Sequence, residues 1–173
     1  MSKRDGAVTF KGNPVTLVGP HLKAGDKAPD FQTLNSGLAP VTMADTGTKA
    51  RLFSVVPSLD TPVCSLQTKK FDESLAALGD AVAAYTVSLD LPFAQKRFCG
   101  AENVQNMQTL SDVHNHSFGK SYGVLIEGLP LPLLARSVFV VDKAGKIAYA
   151  EYVSEVTSHP DYDAALAALK AAA

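Results

Sequence analysis

Short apolar runs alternate along this chain with stretches whose apolar residues recur every three or four positions. The run Leu52-Phe53-Ser54-Val55-Val56 reads as a buried strand, and residues 83–89, 108–110, 137–141 and 147–153 read the same way. Behind the first run, Phe71, Leu75 and Leu78 stand four and three apart, which predicts a helix over 64–78. Further helices are predicted at 93–98, 114–122 and 162–172, where Leu166 and Leu169 mark the last inner face. Near the start, residues 7–10 and 15–18 flank Lys11-Gly12-Asn13-Pro14 and predict a hairpin, followed by a polar, turn-rich stretch at 24–29. Asp142-Lys143-Ala144-Gly145 is a turn that pairs the last two strands antiparallel. Strand, helix and strand over 52–89 call for a right-handed parallel crossover. The sum is an α/β chain with a central mixed β-sheet flanked by helices, a pattern that several α/β folds share. Residues 128–134, Gly-Leu-Pro-Leu-Pro-Leu-Leu, fit either a surface connector or part of a substrate mouth or dimer contact.

Composition narrows the function classes. At 173 residues, 46% apolar and 19% charged, the chain suits one domain with a full core, residues 1–173, in which 1–20 form the hairpin extension. A net charge of −1 offers no attraction to nucleic acid or an anionic membrane. Residues 8–19 are interrupted by Lys11, Gly12, Asn13 and Pro14, so no secretory core is expected, and no run approaches a membrane span. A cytoplasmic location is therefore expected, where two cysteines serve catalysis or metal binding more often than structure.

The chemistry centres on Cys64. Thr61 is a good N-cap and Pro62 is pre-shaped for the first helical position, which makes Cys64 the third residue of the first turn. Unpaired N–H groups and the positive end of the helix dipole meet there and favour a thiolate over a thiol. A helix terminus contributes only about 0.3–1 kcal/mol, up to ~2 when partly buried, so a nucleophile needs a further cation. As an N-cap, the Thr61 hydroxyl accepts from a first-turn N–H, which leaves its proton free to donate. Pro57 by itself is adequately explained as a turn proline ending the strand.

The segment Pro57-x-x-x-Thr61-x-x-Cys64 resembles the active-site motif of the peroxiredoxins, thiol peroxidases on a thioredoxin-like fold. Leu89-Asp90-Leu91-Pro92-Phe93-Ala94-Gln95-Lys96-Arg97-Phe98-Cys99-Gly100 is similar to the second-cysteine segment of the atypical two-cysteine branch that holds the bacterial thiol peroxidases. Ala135-Arg136-Ser137-Val138-Phe139-Val140-Val141-Asp142 is similar to the family strand that opens with the active-site arginine. The likeness runs from about residue 28 to the end, and the N-terminal segment also suits this branch.

The resemblance implies several roles. Cys64 becomes the peroxidatic thiol and Cys99, 35 residues on, the resolving thiol that closes an intrachain disulfide on the Cys64 sulfenic acid. Arg136 and Thr61 would position and stabilise the peroxide, and Pro57 would shield the thiolate from water. Substrates would be hydrogen peroxide and organic hydroperoxides, with thioredoxin as reductant, in antioxidant defence and redox homeostasis. A homodimer is implied, and no metal or other cofactor is called for, because the sulfur carries the redox change. If the two cysteines are far apart when reduced, the Cys64 turn and the Cys99 helix must both rearrange to meet.

The residues taken alone leave alternatives. Cys64 and Cys99 also fit inert buried thiols, and Arg136 a surface ion-pair partner. Cys64, Cys99, His114 and His116 have zinc-ligand chemistry, but their spacing fits no compact finger. His114, His116, His21 and His159 read more simply as exposed polar residues. A disulfide oxidoreductase would be expected to carry Cys-x-x-Cys, which this chain lacks. A binding domain with a structural disulfide would be expected in an oxidising compartment.

Overall fold

A computed structural model describes residues 1–173. In chain order the elements are β1 (Lys3–Phe10), β2 (Asn13–Val18), β3 (Gln32–Leu34), β4 (Pro40–Thr42), β5 (Ala50–Val55), α1 (Pro62–Leu75), β6 (Val82–Ser88), α2 (Pro92–Ala101), β7 (Gln108–Ser111), α3 (Ser117–Ser121), β8 (Leu125–Glu127), β9 (Leu133–Leu134), β10 (Ser137–Val141), β11 (Ile147–Tyr152) and α4 (Tyr162–Ala172).

The main sheet runs in the order β11-β10-β5-β6-β7-β3-β4. β5, β6 and β7 are parallel, as the strand–helix–strand reading requires, and β10 pairs antiparallel with both β5 and β11. This mixed sheet flanked by helices is the expected thioredoxin-like arrangement. Alternation along the central strands divides the core. Ala50 and Leu52 of β5, with Val138 and Val140 of β10, pack against Phe71 and Leu75 of α1 and Ala165 and Leu169 of α4. Phe53, Val55, Phe139 and Val141 point the other way, onto Phe118, Tyr122, Val8 and Leu17.

The predicted hairpin is present and joins a second sheet, β1-β2-β8-β9. It is seated by close backbone approach: a Cβ on Gly123, where φ is +70°, would lie 1.8 Å from the Pro20 carbonyl oxygen. The Arg4 guanidinium donates to the Gly19 and Gly123 carbonyls across the same junction.

Several expectations need correction. The helix predicted over 114–122 shrinks to α3, which leaves His114 and His116 outside it. The cause is the buried Asp112 carboxylate, which accepts the N–H groups of Phe118 and Gly119, and a left-handed backbone at His116, φ 57°. Burial pushes the Asp112 carboxyl up to about 6, outweighing those two donors. α1 stops at Leu75, and Leu78 instead leads into a short 3-10 turn at Gly79–Ala81. The strands β3, β4, β8 and β9 are only two or three residues long and gave no alternation to read. Within the apolar stretch 128–134, Leu134 is buried in β9 whereas Leu131 is 57% exposed.

Candidate active site

The site forms where β5 hands over to α1, at the carboxyl ends of the parallel strands. Val56 still donates its N–H to the Val87 carbonyl at 3.0 Å, and the buried Pro57 then turns the chain out of the sheet. Thr61 has extended backbone, φ −114° and ψ 151°, and its carbonyl accepts the Ser65 N–H at 3.0 Å, so it is the backbone N-cap of α1. Its side chain departs from expectation. The hydroxyl caps no first-turn N–H; it donates to the Ser58 carbonyl at 2.8 Å. The loop folds back closely enough for that carbonyl to take both the N–H and the O–H of Thr61. The proton expected to be free is therefore engaged.

Cys64 is the third residue of α1 and is fully buried with Val56 and Leu59, with Phe98 of α2 packed against them. Arg136, one residue before β10, shares the side of the sheet on which Val138 and Val140 face α1. Pairing of Ser137 with Val55 carries it to the end of β5. Its Nη2 lies 3.3 Å from the Cys64 Sγ, its Nη1 donates to Gln67 Oε1 at 2.9 Å, and its Nε donates to the Val156 carbonyl at 2.8 Å. Gln67 is held in turn by its Nε2, which donates to Ser54 Oγ at 2.7 Å. Arg136 is 2% exposed and has no carboxylate partner. The guanidinium therefore has the Cys64 sulfur, rather than a carboxylate, against its Nη2.

A cavity of about 370 Å³ opens over this cluster, lined by Pro57, Thr61, Val63, Arg136, Leu133 and the hairpin residue Phe10 among others. The structure thus brings Pro57, Thr61 and Arg136 together, while Cys64 lies behind the wall, adjoining Val63 in the chain and Arg136 in space. Glu155 ties the hairpin tip to this wall by accepting from the Lys11 and Gly12 N–H groups and the Thr9 hydroxyl. Hydrogen bonds from Thr157, Gly12 and Thr9 hold its carboxyl down at about 2.

Cys99 is not in this cavity. Both thiols are free, and Cys99 lines a separate cleft of about 310 Å³ with Asn35, Lys96, Met107 and Thr109. Burial, and secondarily the Asp72 carboxylate, push its thiol up. Asp72, on the buried face of α1, accepts the N–H groups of Gln105 at 3.1 Å and Asn106 at 2.6 Å, which clasps the chain beyond α2 onto α1. The structure contains no group of three or more His, Cys, Asp or Glu side chains placed to hold a metal ion.

Sequence reading missed Gln67, Asp72 and the hairpin tip. Gln67 carried a signal: Cys64, Gln67, Phe71 and Leu75 share one buried helical face, and an amide on such a face needs partners. Asp72 and Phe10 carried none, because their partners lie far away in the chain.

The comparisons with known proteins converge. The Redoxin family model matches residues 23–166. A thiol peroxidase from Halalkalibacterium halodurans is 55% identical over 166 residues, covering 96% of this chain and 98% of its own length. One from Bacillus subtilis is 54% identical over 164 residues, covering 95% and 96%. Among solved structures, a peroxiredoxin-like protein from Aquifex aeolicus superposes with a TM-score of 0.90 at 45% identity, covering 97% of this chain and 98% of its own. A match this long, at such identity and with the same fold, means that the chain belongs to the Redoxin family, in its thiol peroxidase branch.

Proposed function

We propose that Cys64 is the peroxidatic thiol of a peroxidase that reduces hydrogen peroxide and organic hydroperoxides. The observation that carries this reading is the buried Arg136 guanidinium, free of any carboxylate, 3.3 Å from the Cys64 sulfur beneath a cavity. The thiolate attacks the terminal oxygen of the peroxide and the O–O bond breaks. Cys64 becomes a sulfenic acid, and the departing oxygen takes a proton to leave as water or alcohol. Arg136, with N–H groups beyond those already bonded, and Thr61, after its hydroxyl turns from Ser58, donate to the peroxide oxygens. Pro57 keeps water from the thiolate.

Cys99 then attacks the Cys64 sulfur. A disulfide forms, the S–O bond breaks, and the hydroxyl leaves as water after gaining a proton. Because Cys64 is fully buried behind the wall of one cavity while Cys99 lines a separate cleft, disulfide formation requires the start of α1 and α2 to rearrange. An external dithiol, for which thioredoxin is our assignment, reduces the bond by thiol–disulfide exchange, supplying the two electrons and becoming a disulfide itself. We assign the enzyme to the cytoplasm as a homodimer in antioxidant defence, with residues 1–173 as one domain. No helix is long and apolar enough to cross a membrane.

The test is one equivalent of hydrogen peroxide added to the reduced protein, followed by alkylation, intact mass and peptide mapping. Rapid loss of both thiols to a Cys64–Cys99 bond within one chain is expected. Cys64→Ser should abolish turnover, and Cys99→Ser should give one burst without recycling. Thiols indifferent to peroxide, or a Cys64→Ser protein that still consumes it, overturn the assignment.

A further inference from the structure

The segments bearing the two cysteines meet at one carboxylate. Asp90 stands between the end of β6 at Ser88 and the N-cap of α2 at Leu91. Its Oδ1 accepts the Ser58 hydroxyl at 2.7 Å, and its Oδ2 accepts the Leu59 N–H at 2.8 Å and the Ser88 hydroxyl at 2.7 Å. Ser88 Oγ also receives Gln95 Nε2 of α2 at 3.1 Å, and the Asp90 carbonyl accepts the Ser111 hydroxyl at 2.6 Å. On the other side, Leu59 shares one buried cluster with Cys64 and Val56, and the Ser58 carbonyl holds the Thr61 hydroxyl. Three donors thus converge on a carboxylate that has no cationic partner.

The arrangement is poorly suited to partial breakage. Asp90 adjoins the N-cap of α2, so any displacement of the start of that helix carries the carboxylate away from Ser58 and Leu59. The Leu59 N–H, left without its acceptor in a buried site, then favours release of the whole loop over a half-broken contact.

We infer that Asp90 is a positioning residue that couples the two thiols: bound, it holds the Cys64 loop in the geometry of the peroxide step, and released, it frees that loop and the start of α2 together for disulfide formation. The inference rests on the two-cysteine reading above. It demands opposite effects on the two steps, which a residue serving only overall stability would not produce.

The experiment compares reduced full-length wild type, Asp90→Asn and Ser58→Ala by rapid mixing with hydrogen peroxide. Quenched samples are scored by mass for sulfenic acid, disulfide and sulfinic acid. An asparagine offers one acceptor oxygen where the carboxylate offers two, so at least one donor loses its partner. Cys64 oxidation in Asp90→Asn is expected to slow roughly 10–100-fold, the scale of a small misplacement of reacting groups. Disulfide formation is expected to accelerate several-fold, and sulfinic acid at excess peroxide to fall below wild type, since a shorter-lived sulfenic acid meets less peroxide. Ser58→Ala, which removes one donor, should shift both steps in the same directions by less, and it decides the matter if circular dichroism shows Asp90→Asn unfolded. Parallel slowing of both steps, or unchanged oxidation, overturns the role of Asp90. A wild type that makes no intrachain disulfide overturns the two-cysteine reading itself.

Discussion

Arg136 reaches the sulfur of Cys64 at 3.3 Å across 72 residues of chain. The attraction between unit charges at that separation is about 5 kcal/mol at an effective dielectric of ~20, before any cost of burying them. A helix terminus contributes about 0.3–1 kcal/mol, up to ~2 when partly buried. A whole guanidinium charge in direct contact with the sulfur is a stronger electrostatic partner than the partial charges of a helix terminus.

Arg136→Lys keeps the charge and loses the fork that spans Val156, Gln67 and Cys64. The second-order rate of Cys64 oxidation, followed by stopped flow, is expected to fall roughly 10–100-fold, the range for losing a charge-assisted hydrogen bond. A rate close to wild type would remove the arginine from the mechanism.

Thr61 separates two uses of a hydroxyl. Thr61→Ser retains the O–H that now rests on Ser58 and should oxidise at close to the normal rate. Thr61→Val keeps the shape without the donor and should lose roughly 10–100-fold in kcat/KM for peroxide. Equal activity of the two variants would reduce Thr61 to its backbone role as N-cap.

The Cys99 thiol is pushed up by burial and then by Asp72, so the folded protein holds less thiolate there than a free cysteine does. In a Cys64→Ser background, its alkylation rate should rise with pH along a curve displaced to higher pH than in urea. Asp72→Asn removes the negative charge and weakens the clasp on Gln105 and Asn106, which should move the curve back toward lower pH. A curve in the folded protein that matches the one in urea contradicts this.

Asp112 supplies a pH dependence of stability. Its carboxyl sits at about 6 in the fold against an ordinary value of 3.8. Between those values the folded chain binds a proton that the unfolded chain does not, so acidification favours the fold. The contribution is fully present below the unfolded value and is lost as pH rises through about 6. Urea denaturation should show wild type gaining about 1 kcal/mol relative to Asp112→Asn between pH 7 and pH 5. Stabilities that change in parallel over that range would refute it.

Local order was legible and distant partnership was not. Thr61-Pro62 announced the start of α1, and the alternation of β5 and β10 announced a two-faced sheet. His114 and His116 misled, because helix-compatible residues yielded to a buried carboxylate six and seven positions from the N–H groups it binds. Thr61 caps the backbone of α1 as its position predicts, but its side chain does not, since the competing acceptor, the Ser58 carbonyl, becomes available only when the loop folds back.

Capping, turn chemistry and apolar periodicity operate within one or two turns of chain, so the elements, the third-position placement of Cys64 and the α/β class were all present in residue order. The motifs resembling peroxiredoxins pointed to Arg136 and Cys99, but no local interaction placed either beside Cys64. The meeting of Arg136 with Cys64 follows from the pairing of Ser137 with Val55, and the union of both cysteine segments at Asp90 follows from the adjacency of β5, β6 and β7. Strand register is set by the packing of a whole core, and it is this collective choice that turns separated side chains into a site.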